Sequence, residues 1–135
     1  MESLYSESAK RRALQTLLSI DEAILQLIDW NANVNSSNDL ACSPTGMQLL
    51  AADAMLITAI GEGINTINSK LPDFLHSNFP EIPWHAIKGM RNRIAHGYFE
   101  LDADIVLDVV KTDIPHLQNV IKKAINILTN HLMAP

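Results

Sequence analysis

The sequence predicts an all-α chain, an antiparallel bundle of four to five helices forming a single domain over residues 1–135. Three observations carry this. Apolar residues recur every three or four positions over residues 8–30 and again over residues 44–69. Caps and breakers fall between these stretches: Ser43-Pro44, then Pro72, Pro80 and Pro83. No segment alternates polar and apolar residues with the period of two that a half-buried strand requires, and no internal repeat is visible.

The first helix spans residues 8–30, with Leu14, Leu17, Leu18, Ile24, Leu25 and Ile28 as its apolar positions. Residues 31–43 are rich in Asn and Ser and read as a flexible loop. Ser43 caps a second helix that reaches about residue 69, with Leu50, Ala54, Ile57, Gly61 and Ile64 on one face. Gly61 weakens that helix, and close helix–helix approach is the usual compensation. Residues 70–82 connect to a third helix that starts at Pro83, turns Ile87, Met90 and Ile94 inward and ends at Gly97. After a turn over 98–101, Asp102 caps a short fourth helix ending near Lys111. Asp113 and Pro115 open a fifth, with Leu117, Ile121, Ala124, Leu128 and Leu132 as its seam.

Composition narrows the function classes. With 135 residues, 47% of them hydrophobic, the chain can bury a real core. The single cysteine, Cys42, permits neither an internal disulfide nor a thiolate metal cage. The polar start lacks a secretory signal, and no stretch approaches the ~20 apolar residues of a membrane span, so a cytoplasmic protein off the membrane is expected. A net charge of −5 argues against a general nucleic-acid coat protein. The basic residues are unevenly placed, however. Lys88, Arg91 and Arg93 fall within six positions and are the candidate RNA contacts, while Glu100, Asp102, Asp104, Asp108 and Asp113 follow.

The candidate chemistry lies in Arg91-Asn92-Arg93-Ile94-Ala95-His96-Gly97-Tyr98. Metal-free RNA cleavage needs a group that titrates near neutrality, which histidine supplies, and a fixed cation for the phosphate, which arginine supplies with a planar donor fork. On a regular helix Arg91 and His96 stand roughly 140° apart around the axis and about 7.5 Å apart along it. They converge only if the helix end distorts, if Arg91 bends round, or if a second subunit contributes. Asn92 and His96 share a face as an i,i+4 pair, so Asn92 can orient the imidazole or touch phosphate. On spacing alone, an Arg and a His at a helix end equally fit simple capping of free carbonyls. His76, His85, His116 and His131 show no metal-ligand spacing and read as surface residues. Trp84 reads as a packing anchor, and Lys10-Arg11-Arg12 as a solvated first helical turn.

Residues 80–92, Pro-Glu-Ile-Pro-Trp-His-Ala-Ile-Lys-Gly-Met-Arg-Asn, running into His96-Gly97-Tyr98-Phe99, resemble the HepT branch of the HEPN superfamily. Its members carry Arg, four residues, His, one residue and Tyr after an Ile-Pro-Trp and Gly-Met stretch. Glu62, in Ile60-Gly61-Glu62, matches an acidic position of that family's second helix, and the similarity runs from about Ile60 to Leu117. The resemblance implies a helical homodimer whose motif helices line a shared cleft. It implies RNA cleavage without metal or other cofactor, the ribose 2′-hydroxyl attacking the adjacent phosphate. His96 is then the general base or acid, Arg91 the phosphate clamp, and Asn92 and Glu62 supporting residues. It further implies a toxin–antitoxin pair, in which an MNT-type nucleotidyltransferase antitoxin silences the chain by attaching AMP to Tyr98. Transfer RNA is the expected target, because an exposed single-stranded end suits a small cleft. Two other readings stay open: a non-catalytic HEPN module that binds nucleotide or docks the transferase, and a structural helical dimerisation domain.

Overall fold

Two long helices make the frame, and each begins on a serine. In the computed structural model, which describes residues 5–94 and 98–134 and only the backbone of Arg91 and Tyr98, α1 spans Glu7–Trp30 and α3 spans Pro44–Lys70. Ser6 Oγ accepts the N–H of Ala9 at 3.0 Å, and Ser43 Oγ accepts the N–H of Gly46 at 2.9 Å with Pro44 in the first turn. Both caps satisfy donors that a helix start leaves free. All described regular structure is helical.

The inward seam of α1 differs from the expected one. Ala13, Leu17, Ile20, Ile24 and Leu27 are buried, whereas Leu18 and Leu25 are 52% and 48% exposed. Adjacent residues point about 100° apart on a helix, so Leu18 and Leu25 cannot share the face of Leu17 and Ile24. Lys10 is also buried, and among the described residues only Arg11 of the basic triplet forms an ion pair, with Glu7 at 2.7 Å. On α3, Leu50, Ile57, Gly61 and Ile64 are buried as expected, joined by Ile60 and Ile67.

Residues 31–43 are folded. They contain a short helix α2, Asn38–Ala41, whose Leu40 is fully buried. The Asp39 carboxylate accepts the N–H groups of Asn35 and Ser36, and a Cβ on Gly46 would overlap the Asp39 carbonyl oxygen. Leu40 in the core and the missing side chain of Gly46 therefore dock the segment on the start of α3.

The connection after α3 also holds a helix, α4 (Phe74–Asn78), anchored by buried Phe74 and Leu75. Trp84 is 6% exposed and donates from Nε1 to the carbonyl of Phe79 at 2.9 Å, which makes it a packing residue. The expected third helix is two pieces, α5 (Trp84–Lys88) and α6 (Met90–Ile94), divided at Gly89. Ile87, Met90 and Ile94 still point inward. The expected end at Gly97 lies outside the described residues.

Asp102 caps α7 (Ala103–Asp108) by accepting the N–H of Ile105. A π-helical turn, Val109–Asp113, then carries the chain into α8 (Ile114–Met133) without a break. Asp113 makes no capping bond there. Pro115 leaves the carbonyl of Lys111 without its donor, and the wider turn just upstream is where the helix adjusts. Leu117, Ile121, Ala124 and Leu128 bury the seam of α8 against α1.

By length and composition α3 could cross a membrane, contrary to the expectation that no stretch comes near. It packs on α1, α2, α5, α6 and α7, and its buried apolar residues are Leu50, Ile57, Ile60, Ile64 and Ile67.

The core also holds a polar pair. Asn31 Nδ2 donates to Asp53 Oδ1 at 2.7 Å and to the carbonyl of Leu27 at 2.9 Å, and Lys111 Nζ donates to the carbonyl of Asn31 at 2.7 Å. Asp53 Oδ2 and Asn31 Oδ1 are buried without a partner. Burial raises the Asp53 carboxyl from 3.8 to about 6, against the opposing pull of the Asn31 hydrogen bond. Between those values the folded chain keeps a proton that the unfolded chain has lost, so this group weakens stability as pH rises through the window. Asp53→Asn is expected to remove that slope. At pH 7 it should raise stability by about 3 kcal/mol, the order of a shift of this size, with the new amide able to serve Asn31 Oδ1. Urea melts of both proteins at pH 4 and pH 7 measure this; an equal stability difference at the two pH values would refute it.

Candidate active site

A small cleft opens where the polar side of α3 meets the broken α5–α6 helix. Its volume is about 200 Å³, and Thr58, Gly61, Glu62, Asn65, Lys88 and Asn92 line it over Ile57. Thr58, Glu62 and Asn65 stand four and three residues apart, which puts them in one stripe on α3. Lys88 ends α5, and Asn92 sits four residues further on in α6.

Gly61 is buried where α3 faces the end of α5. A Cβ there would lie 3.6 Å from the carbonyl oxygen of Ile87 and 3.7 Å from that of Lys88, ordinary contact distances. The tighter glycine is Gly63, two residues on and about 200° round α3, on the side away from α5. A Cβ on it would sit 2.8 Å from Ile20 Cδ1 of α1. Gly63 lets α3 approach α1, and Gly61 brings the end of α5 against the same helix.

The chemistry available here is hydrogen bonding with one positive and one negative group. Lys88 can bind phosphate as a point charge. Glu62 accepts hydroxyl or guanidinium protons, and the amides of Asn65 and Asn92 do both. Among the sequence-derived residues, the structure brings Glu62, Lys88 and Asn92 together. Arg93 does not join them. It turns to the other side of α6 and meets Asp113 at 3.4 Å, in a groove floored by Ile87, Leu117 and Val120. Neighbouring residues on a helix diverge by about 100°, which sends Asn92 and Arg93 to different faces.

His96 lies outside the described residues, as do the side chains of Arg91 and Tyr98. The backbone nevertheless ties the ends of the intervening segment. Asp102 N–H donates to the carbonyl of Ile94 at 2.9 Å, so the seven residues 95–101 start and finish at the end of α6. Thr58 and Asn65 were not singled out from the sequence. Their signal was present in the polar stripe they form with Glu62.

Fold and cleft define a small helical bundle with a polar site beside a broken helix. Comparison with known proteins narrows that class. The family model described as "Ribonuclease HepT-like" matches residues 20–124, and the chain belongs to this HepT-like family of the HEPN superfamily. It is 28% identical over 114 residues to the "Probable ribonuclease HepT" of Thermococcus cleftensis, covering 84% of this chain and 96% of that protein. A "Putative RNase" of Methanocaldococcus jannaschii is 26% identical over 110 residues, covering 78% of this chain and 84% of that one. Another "Putative RNase" of the same organism is 38% identical over 59 residues, 44% of this chain and 50% of its own. No solved structure matches the chain.

The separation of Lys88 from Arg93 has a measurable consequence for RNA binding. Lys88→Ala is expected to weaken binding of single-stranded RNA and to flatten its salt dependence by about 0.7 in the log–log slope, the value for one phosphate contact. Arg93→Ala, on the other side of α6, should change both less. Binding isotherms at several salt concentrations give the comparison, and equal losses in the two variants would contradict the assignment.

Proposed function

We propose that the chain is a metal-independent endoribonuclease toxin, in which His96 is the general base or acid and Arg91 clamps the phosphate. Membership of a ribonuclease family supports the activity. The observation that carries the site is the cleft of Glu62, Lys88 and Asn92 at α6, the helix that holds Arg91 and leads to His96. In this reading the 2′-hydroxyl of the substrate attacks the neighbouring phosphorus while His96 takes its proton. Negative charge gathers on the phosphoryl oxygens, where the Arg91 fork and the Lys88 ammonium offset it. The 5′-oxygen of the next nucleotide leaves, taking a proton from solvent water, and a cyclic phosphate remains. Asn92 supports His96 from four residues back, and Glu62 holds the arginine or a ribose hydroxyl. Two copies of the chain pair so that their motif helices share one cleft, and transfer RNA is the target.

His96→Ala is expected to lower cleavage of RNA by at least about 100-fold, the scale for removing a general acid or base. Arg91→Lys should also be poor, because a point charge does not reproduce the fork. EDTA should leave the rate unchanged. Gel-based cleavage assays with and without chelator decide this, and full activity of the His96 variant or loss of activity in EDTA would overturn the mechanism.

Regulation in this proposal falls on Tyr98. A nucleotidyltransferase antitoxin transfers AMP from ATP to the phenolic oxygen, which loses its proton as pyrophosphate departs. The added phosphate then competes for Arg91 from within the same molecule, at an effective concentration far above that of free RNA. Mass spectrometry after incubation with the transferase and ATP should show the adduct on Tyr98. Tyr98→Phe should keep nuclease activity and escape silencing by modification. An adduct elsewhere, with the variant still silenced, would refute the assignment.

A further inference from the structure

A second hollow continues from the cleft along α3. It has a volume of about 350 Å³ and is lined by Asn68, Asp73, His76, His85 and Lys88 over the edge of Trp84. Lys88 belongs to both spaces. Asn68 lies six residues beyond Glu62 on α3, about 9 Å along the helix axis. The two hollows therefore form one polar track, with the Lys88 ammonium at their junction.

The basic donors of this hollow have no partner among the described residues. His76, His85 and Lys88 are exposed, and among the described residues none of their side chains has a hydrogen bond or ion pair. They come from three separate elements: His76 from α4, His85 and Lys88 from α5, and Asn68 from α3. Asp73 is the only carboxylate of the lining among the described residues. On a chain of net charge −5, an ammonium and two imidazoles beside one described acid suit this hollow to an anion, which their N–H groups can bind.

We propose that His76, His85 and Lys88 form a second phosphate subsite, which holds the RNA strand one step beyond the cleft. The subsite rests on the ribonuclease reading for the identity of its ligand, and it adds a direction to that reading. The single strand runs from α6 across Lys88 towards α4. Asn68 and Asp73 are placed to accept ribose hydroxyl protons, with Asn68 also able to donate to phosphate. Trp84 forms the apolar wall and does not stack on a base, because its ring is buried and its N–H is used by Phe79.

The test compares a long with a minimal substrate. An oligoribonucleotide of about ten nucleotides spans both hollows, within the usual range for single-strand grooves. A dinucleotide reaches the cleft alone. In the His76→Ala/His85→Ala double variant, which removes two imidazole donors, binding of the oligonucleotide should weaken severalfold. Its KM should rise while kcat holds, and the loss should be larger for the oligonucleotide than for the dinucleotide. Both positions are exposed, and an unchanged melting temperature confirms that the fold is intact. Oligonucleotide binding equal to that of the parent would overturn the subsite and leave the ribonuclease reading standing. Absence of cleavage in the parent would instead sink that reading, while the binding comparison still decides the subsite.

Discussion

The close contact of α3 with α1 at Gly63 sets the position of everything that lines the cleft. Ile20 of α1 occupies the space where a Cβ would stand. A side chain at that point would push the helices apart or force Ile20 from its rotamer, at about 1–3 kcal/mol. Because α3 is held against α1 on that side, its opposite side is free to receive α5 and α6. Gly61 then meets the last carbonyls of α5 at ordinary contact distance. One helix thus supplies both a core seam and the floor of a polar site, with two glycines on nearly opposite faces.

The same arrangement makes α6 a divider. The helix has only five residues, Met90–Ile94, and its inward side is filled by Met90 and Ile94. Asn92 is left to face the cleft, and Arg93 the groove against α8. The Arg93–Asp113 pair is substantially exposed on both sides and contributes little to stability by itself. Its effect is to orient Arg93 away from the cleft. The Asp102–Ile94 hydrogen bond closes the far end of α6, so segment 95–101 leaves and returns at one place.

Remote from the cleft, the Asn31–Asp53 pair joins the end of α1 to the middle of α3, and Lys111 covers the terminal carbonyl of Asn31 from the π-helical turn. A cation at a helix C-terminus is favourable with the dipole and with the free carbonyls there. Three elements distant in sequence meet at this point, through polar atoms that the hydrophobic pattern of the chain does not reveal.

The sequence by itself determined the helical class, the two long helices with the Ser43 cap of the second, the inward seam of α8 and the position of the motif. Each follows from local rules, because periodicity, Ser caps and proline act within a few residues. The HepT-like kinship was likewise legible in residues 80–99, and Glu62, Lys88 and Asn92 were candidates before their proximity was known. Tertiary structure decided the rest. It chose Ile20 and Leu27 over Leu18 and Leu25 for the core, because only one stripe of α1 can face α3 and α8. It folded α2 and α4 out of apparent loops, because Leu40, Phe74 and Leu75 found core space that single-segment periodicity cannot foresee. It sent Arg93 away from Lys88, and it joined His76 and His85 to the cleft through α3. Which charged side chains share a surface depends on how helices pack, and no spacing along the chain encodes that.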